Sequence, residues 1–205
     1  MTYKDDYMSW SSGFSASLFL QNEIVPNSYS IEITFETLTN NILHQNISFE
    51  RVKHMINVYL QNSMIVKHDN PKIDLLKNFK VNLLTTPLDP IDSIIGICLH
   101  KKLTSITDSM LTIGKFTIQS WQGDHIKYEI TNDMPEYALL DKHNIEKTIW
   151  WNHAGPQCHH KSLHFLNNML FNYSWKDVKL NYDADTEQTE SKFHPVILDG
   201  GKNED

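Results

Sequence analysis

The sequence predicts an α+β fold in which two amphipathic helices lie on one face of an antiparallel or mixed sheet, in a ferredoxin-like or related arrangement. Three observations carry that prediction. Tyr29, Ile31, Ile33 and Phe35 alternate with Ser30, Glu32, Thr34 and Glu36, the period of a half-buried strand. Two stretches, Phe49–Leu60 and Ile91–Leu99, repeat apolar residues at helical spacing. Residues 110–131 read as two strands around Gln122-Gly123-Asp124.

Taken in order, residues 1–28 form an N-terminal arm rich in Ser, Tyr, Phe and Asn. Trp10, Phe14, Leu18 and Phe19 make it too apolar to be freely solvated, but no period is evident, so it is expected to be irregular. The strand 29–37 opens a core domain over residues 29–132. After a loop at 39–45, Asn46 or Ser48 caps the first helix, in which Phe49, Val52, Ile56 and Leu60 mark the buried stripe. Residues 64–66 suit a short strand, and 68–71 a turn. Leu75, Leu76 and Phe79 suit a brief helical turn, and 81–85 another strand. Asp89-Pro90 starts the second helix, with Ile91, Ile94, Ile95, Cys98 and Leu99 facing inward and an end near residues 101–104. In the hairpin that follows, the alternation changes phase near Gly114, which predicts a bulge. Ile33, Phe35, Phe49, Ile56, Ile94, Cys98, Ile126 and Tyr128 are expected to share one core.

Beyond the core domain lies an aromatic-rich extension, 133–182, with a helix within 134–147 and a short strand near 175–182. An acidic tail, 183–205, has seven acids against Lys192 and Lys202 and is expected to be solvated.

Composition narrows the function. Hydrophobic residues make up 40% and charged residues 21% of 205, values that suit a globular chain. The net charge of −7 and a single arginine, Arg51, disfavour nucleic acid, whose phosphates and guanines favour basic, arginine-bearing surfaces. No apolar run approaches the roughly 18 residues that span a membrane. Asp5 and Asp6 stand where a secretory signal carries positive charge. Cys98 and Cys158 make no disulfide framework. A soluble cytoplasmic protein is therefore expected. No glycine-rich phosphate loop and no GxSxG elbow is present, so no catalytic residue is assigned.

Two constellations remain. His153, Cys158, His159, His160 and His164 crowd into twelve residues. Imidazole and thiolate suit zinc, and His160 and His164 have i, i+4 spacing. His153, Cys158, His160 and His164 are thus the candidate metal ligands, and zinc the alternative to a chain with no cofactor. The glutamate of HExxH and a second ligand pair are both missing, which favours a polar loop instead. The other constellation is aromatic: Trp150, Trp151, Phe165, Phe171, Tyr173 and Trp175 are candidate interface residues, because tryptophan and tyrosine favour buried interface centres.

The stretch from Tyr29 to Thr131 resembles small uncharacterised proteins of T4-like tailed phages of marine bacteria. The residues behind the resemblance are Ile31-Glu32-Ile33-Thr34-Phe35-Glu36, Asn46-Ile47-Ser48-Phe49-Glu50-Arg51, Pro87-Leu88-Asp89-Pro90-Ile91-Asp92 and Trp121-Gln122-Gly123-Asp124-His125-Ile126-Lys127-Tyr128. The resemblance implies a phage-encoded chain and carries no site with it. The resulting expectation is a non-enzymatic virion or assembly component that works through protein–protein contact, with itself or with other virion proteins. A metal-dependent enzyme or zinc-stabilised module is the alternative.

Overall fold

A computed structural model describes residues 7–37, 41–76, 78–79, 81–107, 110–142, 150–156 and 174–181. The chain opens with a long hairpin. Strand β1 (Tyr7–Leu20) returns through Gln21 and Asn22 into β2 (Glu23–Thr37), antiparallel throughout. Both turn residues have positive φ, 49° and 70°. That is the two-residue turn whose twist matches paired strands. This corrects the expectation of an irregular N-terminal arm. Trp10, Phe14, Ala16 and Leu18 fall on one face of β1, with Ser9, Ser11, Ser15 and Ser17 on the other.

Helix α1 (Ile42–His54) begins earlier than expected, because Asn41 rather than Asn46 or Ser48 caps it. The Asn41 Oδ1 accepts from the Leu43 and His44 amides at 3.0 and 3.3 Å. Ser48 lies inside the helix and donates to the Thr107 carbonyl at 3.1 Å, tying α1 to a later helix. Residues Met55–Leu60 continue as one π-helical turn that buries Met55, Ile56, Tyr59 and Leu60. Strand β3 (Ser63–Lys67), the short helix α2 (Ile73–Leu76) and β4 (Leu83–Thr86) follow.

Helix α3 (Asp92–Thr107) then crosses the sheet and runs past the end predicted for it. A Cβ on Gly96 would stand 2.4 Å from Ile130 and 2.8 Å from Ile118, so only glycine permits this closeness to the sheet. Strands β5 (Leu111–Ser120) and β6 (Tyr128–Ile130) form the predicted hairpin. The register shift between Thr34 and Phe35, opposite Lys115 and Ile113, leaves Gly114 as the extra residue of the expected bulge. The loop between them, 121–127, is longer than a tight turn and leaves Ile126 55% exposed, which removes Ile126 from the predicted core.

The six strands are ordered β4-β3-β1-β2-β5-β6, with β1–β3 and β3–β4 parallel and the remaining pairs antiparallel. The α+β class stands. The expected ferredoxin-like outline with two helices is too small: the opening hairpin supplies the two central strands, so the first two strands are neighbours with no helix between them. One core joins the inward faces of β1, β2 and β5 to α1, the π turn and α3, and includes Ile33, Phe35, Ile56, Ile94 and Cys98, with Phe49 and Tyr128 at its margin. A second cluster, Phe19, Met64, Val66, Leu76 and Leu83, lies on the opposite face under α2. Among the described residues no helix is long and apolar enough to cross a membrane.

Part of the C-terminal extension belongs to this packing. Helix α4 (Tyr137–Lys142) falls within the predicted range. Trp150 and Trp151 lie in a 3₁₀ turn, 4% and 3% exposed, within the main core. Residues Trp175–Asp177 form another 3₁₀ turn in place of the expected strand.

Candidate functional site

Among the described residues no helix covers most of one face of the sheet. On it stand Ser9, Ser11, Ser15 and Ser17 of β1, Ser28, Ser30, Glu32 and Thr34 of β2, and Gln119 of β5. The alternation that buries Ile31, Ile33, Phe116 and Ile118 turns these short hydroxyl side chains outward. Their charges are few: Lys115 pairs with Glu129 at 2.8 Å, and Glu36 lies over Gly114. At one end of this face a groove of about 470 Å³ runs from Val81, before β4, to Trp121, after β5. Ser15, Ser17, Ser28 and Asn62 line it between those ends.

A polar tether holds the Trp121 end. The Ser120 hydroxyl donates to Asp92 Oδ2 at 2.6 Å, at the start of α3, and accepts from the Gly123 amide at 3.0 Å. Asn27 Oδ1 accepts from the Gln122 amide at 3.1 Å. A Cβ on Gly123 would meet Asp92 Oδ2 at 2.3 Å, so the loop closes only around glycine. The buried Tyr29 phenol lies beside Asp92 and Asn27, and burial raises its pKa far above the usual phenol range, with the Asp92 charge adding to the rise and Asn27 opposing it.

The edges of the sheet differ. Ser15 of β1 turns its backbone away from β2: its amide donates to Gln61 Oε1 at 3.1 Å and its carbonyl accepts from Asn62 at 2.7 Å. Strand alternation gives Gly13, Ser11, Ser9 and Tyr7 the same outward direction. Strand β3 covers that edge only at Ala16–Phe19, so among the described residues no strand pairs with it over Tyr7–Phe14. Tyr7 and Met8 at its end are 62% and 37% exposed. The far edge, β4, is shut: the indole N–H of Trp150 donates to the Thr85 carbonyl at 2.7 Å.

The predicted site residues are scattered. Trp150 and Trp151 are buried in the core, and Trp150 also bonds the β4 edge, so neither is an exposed interface anchor; a side chain already buried in its own chain has no surface left for a partner. Trp175 is half-buried: its indole N–H donates to the Ala154 carbonyl at 2.6 Å, and the Arg51 guanidinium stands 5.4 Å over its ring. Phe165, Phe171 and Tyr173 lie outside the described residues, as do the candidate metal ligands Cys158, His160 and His164. His153 is exposed, and among the described residues no group of three His, Cys, Asp or Glu stands close enough to hold a metal. The sequence reading missed the hydroxyl face, the groove and the stretch of β1 edge that no described strand pairs with. The serine alternation in β1 was the available signal.

Two of the buried polar groups on α3 face the extension. Lys102, fully buried, donates from Nζ to the His153 and Gly155 carbonyls, each at 2.7 Å, and so pins the chain after Trp151. His100 is 1% exposed and its Nδ1 touches the Tyr137 hydroxyl. Burial lowers the His100 pKa to about 4, with Lys101 adding to the fall and a backbone hydrogen bond at Ile113 opposing it. Neither group reaches the groove, and they read as internal ties between α3 and the extension.

No protein-family model and no curated protein matches the chain. Among solved structures, it is similar to the uncharacterised protein WS1659 from Wolinella succinogenes, at 10% identity over 62% of this chain and 98% of that one, with a TM-score of 0.47. It is also similar to the 6-pyruvoyl tetrahydropterin synthase of Plasmodium vivax, at 9% identity over 63% and 100% of the two chains, with a TM-score of 0.41.

Proposed function

We propose that the protein is a non-enzymatic, phage-type virion or assembly component that works by protein–protein contact, and that its contact element is the outer edge of β1. The observation that carries this reading is the contrast between two edges, that of β4 and that of β1 before its pairing with β3 begins. An indole occupies the Thr85 carbonyl on the β4 edge, whereas among the described residues no strand pairs with the outward side of Tyr7–Gly13, which has no lysine, proline or bulge to discourage a new strand. Native chains blunt exposed edges by such devices, and an edge left without them is a template for strand addition. The apolar ends Tyr7 and Met8 add burial on contact. A second copy of the chain or a virion protein can supply the added strand.

The test uses Ser11→Pro. This change removes an outward amide donor and leaves the β2 ladder intact, a position at which an edge strand accepts proline. The wild-type chain should sediment as an oligomer at about 1 mM, a concentration that populates even weak contacts. The variant should keep its melting temperature to within a few degrees and sediment as a monomer. A wild-type chain that stays monomeric and binds no virion protein, or a variant that associates as well as wild type, removes the reading.

A further inference from the structure

We infer that the groove between Trp121 and Val81 binds a neutral, polyhydroxylated ring ligand, a carbohydrate, with the Trp121 indole as its stacking platform. The lining selects the chemistry. Among the described residues no charged side chain lines the groove, in a chain whose net charge is −7, so none of them recognises a phosphate, a carboxylate or a cation there. What does border it is a set of hydroxyls and a carboxamide, from Ser15, Ser17, Ser28 and Asn62. A serine hydroxyl both donates and accepts, and a carboxamide does the same from separate atoms, which is the pairing that alternating sugar hydroxyls require. Ser15 Oγ and Ser28 Oγ stand 3.4 Å apart, a long mutual contact that a ligand hydroxyl can replace with two shorter ones.

Trp121 completes the site. It is 69% exposed, yet it is held in place. Its amide donates to the Ser28 carbonyl at 3.0 Å, and its ring meets His125 edge-on at 5.1 Å. The loop that follows is anchored by the Ser120–Asp92 and Gln122–Asn27 hydrogen bonds. A platform on an anchored backbone loses less freedom on contact than one on a free loop. The face of an indole is negative, and the C–H groups on one side of a pyranose are weakly positive, so the two stack. The groove volume of about 470 Å³ lies in the small-ligand range. Its openness to solvent implies a weak affinity, with Kd on the order of 1 mM.

The experiment titrates the full chain with maltoheptaose, cellopentaose and triacetylchitotriose, followed by saturation-transfer NMR and by indole fluorescence. At least one probe should saturate near the millimolar range, with an affinity unchanged by high salt. Trp121→Ala should weaken that probe at least tenfold while the melting temperature holds, because the indole is exposed. Ser28→Val, which suits a strand, should weaken it without changing the fluorescence of the free chain. The inference fails if no probe binds at about 20 mM, or if Trp121→Ala binds as wild type does. It fails equally if oligothymidylate binds more tightly than any sugar and salt releases it, which would give the site to single-stranded nucleic acid. None of these outcomes depends on the β1 edge.

Discussion

His100 shows what burial does to one side chain. The folded chain holds its imidazole at about 4, against an ordinary 6.5, chiefly by desolvation. Between those values the unfolded chain binds a proton that the folded chain refuses. The stabilisation is therefore complete above about pH 6.5 and is lost as pH falls toward 4, with an upper size of about 3 kcal/mol. His54, also lowered by burial, adds the same sign. Urea midpoints measured from pH 7 down to 4.5 should fall, and His100→Gln should flatten part of that slope. Equal slopes in the two chains would show that other groups carry it. Lys102 makes the second case. Lys102→Met preserves most of the packing but leaves the His153 and Gly155 carbonyls without this donor, at a cost of about 1–3 kcal/mol. Thermal denaturation reads that loss, and an unchanged melting temperature would mean that other donors reach both carbonyls.

At the scale of elements, α3 and β1 teach opposite lessons. The sequence states α3 plainly, since its apolar positions recur at helical spacing, and Ile94, Ile95, Cys98 and Leu99 are all buried. Ile94→Asp should then cost about 3 kcal/mol or more, because it buries an unpaired charge, and the midpoint of chemical denaturation measures it. Strand β1 is equally regular in space but was hidden in the sequence. Its inward series, Trp10, Phe14, Ala16 and Leu18, is broken by Ser12, and Phe19 then points to the other face to join the cluster under α2. A strand that serves two cores loses the simple alternation by which a strand is recognised. Trp150 illustrates an element boundary made by a side chain. Trp150→Phe keeps a ring in the core but removes the donor to Thr85, and should cost about 1 kcal/mol. Trp150→Ala should cost about 3–5 kcal/mol and leave β4 open to pairing, seen as aggregation in light scattering during refolding.

For the molecule as a whole, the extension is part of the fold. Leu140, Trp150 and Trp151 stand in the same core as the sheet, and Lys102 and Ser105 of α3 hydrogen-bond to carbonyls between Trp151 and Gly155. A chain ending at Asn132, the end of the core domain read from the sequence, should unfold without a cooperative transition or aggregate. Calorimetry and size-exclusion chromatography distinguish these outcomes. A sharp transition within a few degrees of the full chain would show that the strands and two long helices suffice. The candidate metal ligands Cys158, His160 and His164 lie outside the described residues, so the zinc alternative rests on the sequence pattern alone.

The sequence by itself determined what neighbouring residues enforce: the alternation of β2, the stripe of α3, the β5–β6 hairpin, the bulge at Gly114 and the α+β class. Each follows from a period of two or 3.6, which the local backbone imposes. Tertiary structure alone decided which strands lie side by side, which tryptophans are covered and which edge stays open. Trp121 and Trp150 are the same residue type on one chain, yet one is 69% exposed and the other 4%. The difference lies in residues far away in sequence: Thr85 accepts the Trp150 indole, and Ser28 holds the Trp121 backbone beside the hydroxyl face of the sheet. Burial is a long-range property, set by the elements that pack around a side chain rather than by its own neighbours.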